Sequence, residues 1–147
     1  MVTAEKIKVL VIDDDQVLCE MVKRSLQRKN YDVYLACNGK DGLEKIKQHD
    51  IQIVFSDIVM PEMDGIGFLK QVHNYNLSTQ VIMMTGKSDL ENCVEAVEYG
   101  ACSYLIKPVQ IDDLVESINI ALRNIAEKKE IVKKVLAESQ KRKEEQK

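Results

Sequence analysis

Five short apolar segments, each about as long as a β-strand, recur along this chain of 147 residues. They are KIKVLVI (6–12), YDVYLA (31–36), IQIVFS (51–56), QVIMMT (80–85) and CSYLIK (102–107). Several of them are continuous rather than alternating in polarity, which is typical of strands covered on both faces of a sheet. The segments therefore predict five buried strands.

Segments with the apolar periodicity of helices separate the predicted strands. The residues that share one helical face are Leu18, Met21, Val22 and Leu26 in the first segment, Leu43 and Ile46 in the second, Ile66 and Leu69 in the third, and Leu90, Cys93, Val94 and Val97 in the fourth. Right-handed crossovers between parallel strands place helices on both faces of a sheet. The alternation predicts a doubly wound α/β domain over residues 1–124, with a five-stranded parallel sheet and five helices.

The last predicted helix meets no Gly or Pro between residue 112 and the C-terminus, so we expect it to continue as an extension over residues 125–147. Its seam positions step by three and four residues and are Ile111, Leu114, Ile118, Ala121, Ile125, Lys128, Val132 and Val135. This spacing predicts a helix to about residue 141, with fraying after Ser139. Three uses of the extension stay open: a coiled-coil linker that dimerises the chain, a helix that pairs with another protein, or a charged extension without a partner.

Composition excludes several classes of protein. With 45% apolar residues in 147, the chain suits one globular domain. No run is long and apolar enough to span a bilayer, and the N-terminus lacks the features of a signal peptide, so we expect a cytoplasmic protein without membrane contact. The four cysteines form no Cys-x-x-Cys pair, which favours packed, reduced thiols over a metal site.

The net charge of −3 is unevenly distributed along the chain. From Arg123 onward there are 9 Lys and Arg against 5 Asp and Glu, whereas the residues before it hold 12 of the 21 basic and 19 of the 24 acidic residues. An acidic body argues against nucleic-acid binding, and the residues after the last strand are too few for a helix-turn-helix. We therefore expect no nucleic-acid partner for this chain.

Charged and hydroxyl side chains follow four of the predicted strands. The run 13–15, three aspartates, ends the first strand, Asp57 the third, Thr85 the fourth and Lys107 the fifth. The carboxyl ends of parallel strands meet at one edge, where such sheets carry their sites. Crowded carboxylates repel one another unless a divalent cation such as Mg²⁺ relieves them. Because a carboxylate beside Mg²⁺ can attack phosphorus and a lysine can pair with a phosphoryl oxygen, the pattern favours phosphoryl transfer to Asp57.

Each of these residues, taken alone, has a local structural role as its alternative. An Asp after a strand is usually a helix cap or turn residue, and we predict that role for Asp15 and Asp64 as N-caps. Thr85 alone is equally compatible with a turn hydroxyl. Pro61 and Gly65 are expected to set the course of the loop after Asp57. Only the combination at four strand ends points to a shared site.

The motifs VLVIDDD, FSDIVMPEMDG, MMTG and SYLIKP together resemble the receiver domain of bacterial two-component response regulators, which has the chemotaxis-regulator fold. The resemblance covers residues 5–124 and implies the flavodoxin-like strand order 2-1-3-4-5. It also implies a phosphorylation-activated signalling switch, which receives its phosphoryl group from a sensor histidine kinase or a phosphotransfer protein.

The resemblance implies a chemical role for each matching residue. Asp57 would be the phosphoacceptor, Asp14 a direct ligand of Mg²⁺, and Asp13 a ligand that acts mostly through water. The backbone carbonyl of Val59 would complete the protein's share of the metal shell. Lys107 would pair with the phosphoryl group and precede a cis bond to the next proline.

A switch pair is implied as well. The hydroxyl of Thr85 would move to a phosphoryl oxygen, and the ring of Tyr104 would turn inward behind it, so that the surface of helix 4, strand 5 and helix 5 changes. Three glutamates on helix 4 make this surface acidic, which fits either a basic partner or a solvated face. A homodimer could form through this surface or through the C-terminal helix. The apolar Val59 implies slow self-dephosphorylation. Lys87 flanks the same line of water attack, and it acts there, acts on binding of the phosphodonor, or has no role.

Two rival functions require residues that differ from those present. A constitutive interaction module with a receiver fold would lack one of the acids, the threonine or the lysine, and all are present. A phosphatase of small molecules would carry a second acid two residues after the nucleophile, where Val59 stands. The chain is therefore not expected to be an enzyme, apart from its own phosphorylation and dephosphorylation.

Overall fold

The computed structural model describes residues 5–60, 63–76 and 78–146. Within them five parallel strands form one sheet in the order β2-β1-β3-β4-β5, which confirms the predicted fold. The strands are β1 (Lys8–Ile12), β2 (Asp32–Ala36), β3 (Ile53–Asp57), β4 (Gln80–Thr85) and β5 (Ser103–Ile106). Strand β4 coincides with the run that predicted it, and each of the other four strands is one or two residues shorter than its run.

Five helices cover the two faces of the sheet. They are α1 (Gln16–Arg28), α2 (Gly39–Gln48), α3 (Gly65–Tyr75), α4 (Leu90–Glu98) and α5 (Ile111–Glu145), and a 3-10 turn (Lys87–Asp89) precedes α4. Alternate residues of β1 serve both sides: Leu10 packs with α2, α3 and α4, whereas Val9 and Val11 pack with α1 and α5. The two apolar layers on one sheet are those of a doubly wound domain. No helix among the described residues combines the length and apolarity that crossing a membrane requires.

The predicted N-caps are confirmed. The carboxylate of Asp15 accepts a hydrogen bond from the amide of Leu18 at 3.1 Å, and Asp64 accepts one from Gly67 at 2.7 Å. Each satisfies an amide that the first helical turn leaves without a partner. Gly65 is required for a close approach: a Cβ there would lie 2.9 Å from the carbonyl oxygen of Asp57. Pro61, expected to direct this loop, lies outside the described residues.

The apolar faces predicted for α4 and α1 are wrong in part. Leu90, Val94 and Val97 are 40%, 63% and 52% exposed, and the buried residues of α4 are Cys93 and Ala96. The two small side chains let the helix approach the sheet closely, which turns the larger ones toward solvent. On α1, in the same way, Met21 is exposed and Cys19 is buried. Of the four cysteines, only Cys37 is exposed.

Helix α5 continues without interruption well past the domain. It has 35 residues, which corresponds to about 50 Å at 1.5 Å per residue. Its buried residues end at Ala121, and every described residue from 126 onward is exposed. The predicted fraying after Ser139 is wrong, since the helix ends at Glu145. Basic residues in the last turn suit the negative end of the helix dipole, and Arg142 lies 3.7 Å from Glu138 one turn earlier.

Candidate functional site

The carboxyl edge of the sheet brings the predicted site residues together. Asp57 is the last residue of β3, Thr85 is the last residue of β4, and Asp13 and Lys107 directly follow β1 and β5. Carboxylate oxygens of Asp13, Asp14 and Asp57 all lie within 4.8 Å of one another. The order β2-β1-β3-β4-β5 causes this proximity, because β1 and β3 are hydrogen-bonded neighbours. Segments far apart in the sequence thus form one acidic cluster.

Lys107 bridges two of these acids. Its Nζ donates to Oδ2 of Asp13 at 2.7 Å and to Oδ2 of Asp57 at 3.3 Å. Burial alone would lower the pKa of Lys107, but the hydrogen bond to Asp13 and the charges of both acids outweigh burial and raise this pKa. The ammonium group is therefore charged at neutral pH. The bond Lys107-Pro108 is cis, as the resemblance implies.

The pairing of Lys107 with Asp13 was missed from the sequence. The sequence predicts that Lys107 adds positive charge at the carboxylates and pairs with the phosphoryl group, but it does not predict that the shorter contact is with Asp13, which is only 1% exposed. A buried carboxylate needs a compensating partner. A lone lysine at the same edge as three aspartates was the signal that could have revealed the pair.

Asp57 is held by donors on both carboxylate oxygens. Oδ1 accepts from the backbone amide of Val59 at 3.2 Å, and Oδ2 accepts from Lys107. The pKa of Asp57 is raised, mainly by burial, against the lowering effect of Lys107 and with a further raising contribution from Asp13. The carboxylate is oriented, and its negative charge is only partly compensated by the protein.

Asp13 is fixed by its own surroundings. Besides Lys107, its carboxylate accepts from the amide of Asp15 at 2.9 Å, and its carbonyl accepts from the thiol of Cys19 at 3.5 Å. Burial, followed by the charge of Asp13, raises the pKa of Cys19 to about 11. The thiol therefore stays protonated and acts as a donor that supports the loop.

The donor set of the acidic cluster fits Mg²⁺. Mg²⁺ prefers carboxylate, carbonyl and water oxygens, and it is commonly bound through one or two carboxylates with its remaining positions left to water or phosphate. Asp13 is buried, Asp57 is partly buried and Asp14 is exposed, so the cluster opens to solvent on one side. Carboxylates on the inner side and access on the outer side match this mode of binding.

The predicted switch residues lie beside the cluster. Thr85 is buried, and its hydroxyl donates to the carbonyl of Gly86 at 3.1 Å rather than to Asp57. Burial raises the pKa of the Cys93 thiol on α4, and the neighbouring Thr85 hydroxyl partly opposes this effect; sequence analysis did not identify Cys93 as a neighbour of Thr85. Tyr104 is 47% exposed and borders an open groove of about 450 Å³ along α4. Thr85 therefore contacts both the site edge and the helix that precedes β5.

Two further predicted positions lie at the surface. Val59 is 56% exposed, two residues after Asp57. Lys87 is exposed in the 3-10 turn that follows β4. Both side chains are accessible from solvent, and the described contacts assign neither of them to Asp57.

Comparison with known proteins gives consistent matches. The family described as the response regulator receiver domain matches residues 9–119. The chain is 40% identical over 120 residues to transcriptional regulatory protein ZraR of Klebsiella oxytoca, covering 82% of this chain and 27% of that protein. It is 33% identical over 121 residues to response regulator ArlR of Staphylococcus saprophyticus, covering 82% and 54%. A solved CheY-like receiver domain protein from Methanospirillum hungatei has a TM-score of 0.79 at 31% identity, covering 84% of this chain and 99% of that one. The chain spans only part of the length of ZraR and ArlR.

Proposed function

This chain belongs to the response regulator receiver domain family, and we propose that Asp57 is its phosphoacceptor and Lys107 the cation that meets the incoming phosphoryl group. As a receiver domain the chain is a phosphorylation-activated switch of a two-component system. One observation carries the residue assignment: the Asp57 carboxylate lies 3.3 Å from Lys107 and inside the cluster that it forms with Asp13 and Asp14.

Mg²⁺ is the cofactor that the acidic cluster supports. We assign Asp13, Asp14, Asp57 and the backbone carbonyl of Val59 to it, on the strength of the oxygen donors and the open side of the cluster. When bound, Mg²⁺ supplies positive charge to the carboxylates and to the phosphoryl oxygens. Burial, and to a smaller extent Asp13, raises the pKa of Asp57. This direction agrees with a site in which the positive groups of the protein do not fully compensate the negative charge of the carboxylates.

The chemical step forms one bond and breaks one. A carboxylate oxygen of Asp57 bonds to phosphorus while the phosphorus–nitrogen bond of a phosphohistidine breaks, and the electron pair stays on the donor's imidazole nitrogen. The product is an acyl phosphate on Asp57. Lys107, positioned by its 2.7 Å contact with Asp13, can leave Asp57 and pair with a phosphoryl oxygen. The protein thus contributes position and charge, which are the main requirements of phosphoryl transfer.

Thr85 and Tyr104 would carry the signal away from Asp57. In the present structure the Thr85 hydroxyl is engaged by Gly86, and the Tyr104 ring is half exposed. A phosphoryl group on Asp57 offers Thr85 a charged acceptor, which makes a stronger hydrogen bond than a carbonyl. Movement of Thr85 vacates space for Tyr104, so the surface of α4, β5 and α5 would change. An ordinary coupling of this kind is worth about 1–3 kcal/mol.

Partners follow from this chemistry. The phosphodonor would be a sensor histidine kinase or a phosphotransfer protein, and we assign the chain no nucleic-acid partner because its body is acidic. We also assign it no catalysis beyond its own phosphorylation and dephosphorylation. Residues 1–124 would form the switch and residues 125–147 a C-terminal helical extension of the coiled-coil linker type. What the remaining parts of ZraR and ArlR do is said of those proteins alone.

Intact-mass spectrometry tests the acceptor directly. The chain is incubated with Mg²⁺ and acetyl phosphate, a small phosphodonor that makes a kinase unnecessary. We expect one added phosphoryl group, lost in Asp57→Asn and lost when EDTA removes Mg²⁺. Asp50→Asn is the matched control, because Asp50 is exposed and lies near the start of β3, away from the site.

Two results would oppose the proposal. Persistent labelling of Asp57→Asn would place the acceptor elsewhere. An intact, folded chain that takes no phosphoryl group from acetyl phosphate or from a phosphohistidine donor would instead favour a constitutive interaction module.

A further inference from the structure

Two exposed apolar surfaces of this chain carry opposite charge. The first, named here the α4 face, consists of Leu90, Val94, Val97 and Tyr104 with Glu91 and Glu98 beside them. The second, named here the tail stripe, consists of Ile131, Val132, Val135 and Leu136 on α5 with Lys129 and Lys133 beside them. Acidic residues flank the α4 face, and lysines flank one side of the tail stripe, whose other side carries Glu127 and Glu138. The acidic flank of the first surface and the basic flank of the second are complementary in charge.

The α4 face has the form of a groove. Leu90, Val94 and Val97 form one wall and Tyr104 of β5 forms part of the other, and the space between them is about 450 Å³. At 100° per residue, Glu91 and Glu98 lie on the same flank of α4, one heptad apart. A contiguous apolar patch with a charged rim marks an interaction surface rather than an ordinary solvated face.

The tail stripe has the size and shape to fill that groove. Its four apolar side chains are between 55% and 64% exposed, so more than half of their surface is open to a partner. The segment from Lys129 to Leu136 spans about 12 Å, and the nine residues of α4 span about 13 Å. Lys129 and Lys133 lie one turn apart on one flank of the stripe. Lys133 lies 3.8 Å from Glu130, but both side chains are exposed, so this weak pair can be exchanged for one with Glu91 or Glu98.

The tail stripe cannot reach the α4 face of its own chain. Helix α5 is unbroken from Ile111 to Glu145, and its last buried residue is Ala121. Its next turns, from Ile125 to Lys133, line a groove of about 550 Å³ with Ser78 of the same chain, at the opposite end of the domain from the site edge. A straight helix that projects from the body does not fold back on it. The occupant that this chain supplies is therefore a second copy.

Pairing of the tail stripe with itself is disfavoured by its own sequence. By helical periodicity Lys128 lies within the stripe, between Val132 and Val135. A parallel two-fold pair of these helices would place Lys128 opposite Lys128 of the other copy in an apolar seam, and like charges there are destabilising. The same lysine opposite an acidic groove is stabilised instead.

We propose that two copies of this chain dock reciprocally, with the tail stripe of each in the α4 face of the other and with Lys129 and Lys133 paired to Glu91 and Glu98. Two identical contacts related by a two-fold axis close the assembly as a dimer. Because Tyr104 borders the groove, its inward turn would change the fit, so assembly would depend on phosphorylation. This dependence on phosphorylation rests on the proposed function, whereas the docking itself does not.

Charge exchange between the two surfaces tests the contact. One variant carries Glu91→Lys and Glu98→Lys, and a second carries Lys129→Glu and Lys133→Glu. Each alone places like charges at both contacts of its dimer, and we expect the dimer Kd to rise roughly tenfold or more. An equimolar mixture restores opposite charges at both contacts of the mixed dimer, and so does the chain carrying all four changes. Molar mass from sedimentation equilibrium, with Mg²⁺ and with or without beryllofluoride, is the measurement.

Matched controls separate this contact from a general effect of charge. Lys134→Glu with Lys141→Glu makes the same charge change on the opposite face of α5, and Glu44→Lys with Asp50→Lys makes it away from α4, at exposed positions. Both controls should assemble like the unaltered chain. Recovery to the mass of the unaltered chain in the mixture of the two variants and in the fourfold variant, with unaltered assembly of both control chains measured alone, supports reciprocal docking.

Three outcomes would overturn the docking. They are a monomer at all concentrations in both states, a dimer indifferent to changes at Glu91 and Glu98, and weakened variants that fail to recover when mixed. If the dimer is indifferent to changes at Glu91 and Glu98 but is lost in Val135→Asp, the tails pair with each other instead. Acetyl phosphate labelling of Asp57, measured on the same preparations, reports on the proposed function separately. Labelling without charge-dependent assembly refutes only the docking. Charge-dependent assembly without labelling refutes only the assignment of Asp57 as phosphoacceptor.

Discussion

Replacement of Lys107 by methionine removes the one cation that the structure places between two carboxylates. Met keeps most of the aliphatic volume of the side chain but leaves Asp13, only 1% exposed, without its 2.7 Å partner. Breaking a fully buried ion pair costs about 3–5 kcal/mol, whereas an exposed pair is worth about 0–1 kcal/mol. Since the Lys107 side chain is 27% exposed, the expected loss in the free energy of unfolding lies between these limits, at about 2–3 kcal/mol.

Urea denaturation in EDTA, followed by circular dichroism, measures this loss from the transition midpoint at constant slope. Lys45→Met is the matched control: its pair with Asp41 has a similar distance of 3.2 Å, but both partners are partly exposed on the surface of α2. The control should lose only about 0.3–0.5 kcal/mol. Restoring Mg²⁺ should stabilise Lys107→Met at least as strongly as the unaltered chain, because the cation replaces the missing charge.

Equal, small losses in both variants would refute the reasoning. Such a result would mean that Asp13 is not an uncompensated buried charge once Lys107 is absent. The combined change Lys107→Met with Asp13→Asn sharpens the test, since residues in contact should give a loss smaller than the sum of the single losses.

Three other predictions concern pH, backbone fit and thiol reactivity. Folding raises the pKa of Asp57 above its ordinary 3.8, mainly through burial. This group's contribution to stability is therefore complete below that value and is lost as pH rises through the folded pKa. Metal-free Asp57→Asn should gain stability relative to the unaltered chain as pH rises above 3.8, and a difference that does not change with pH would contradict the sign. Gly65→Ala should lower the free energy of unfolding, measured by urea denaturation, by about 2 kcal/mol. The reason is that the added Cβ would lie 2.8 Å from the Cα of Ile58 and 2.9 Å from the carbonyl oxygen of Asp57. A loss near zero would show that the loop moves to accommodate the Cβ. A thiol reagent should label exposed Cys37 first and Cys19 only after unfolding, because Cys19 is buried and its pKa is raised to about 11; early labelling of Cys19, detected by peptide mass, would contradict the packing around Asp13.

The fold was predictable because its signals are local or topological. Continuous apolar runs mark the strands, and Asp15 and Asp64 cap the helices that follow them. The convergence of Asp57 with Asp13 and Asp14 follows from the rule for carboxyl edges of parallel sheets, without any knowledge of side-chain geometry. Each of these inferences needs only spacing along the chain.

The remaining features depend on tertiary contacts that spacing does not encode. Apolar periodicity identified a stripe on α4, but it does not distinguish a face packed on the sheet from a face open to a partner; the small residues Cys93 and Ala96 decided which one was buried. The ion pair of Lys107 with Asp13 joins residues 94 positions apart. Helix α5 ends at Glu145, beyond the point after Ser139 where its polar composition predicted fraying.

The unbroken course of α5 makes it a lever arm. Its buried part, which ends at Ala121, is seated against the sheet, and the residues beyond extend for about 36 Å without a hinge. A tilt of roughly 5° at the seat would move the distal end by roughly 3 Å, as follows from that length. A small change in the tilt of α5 beside β5 would thus become a larger displacement at the far end of the helix, where a partner would bind. The bending stiffness of the helix determines how much of that displacement is retained.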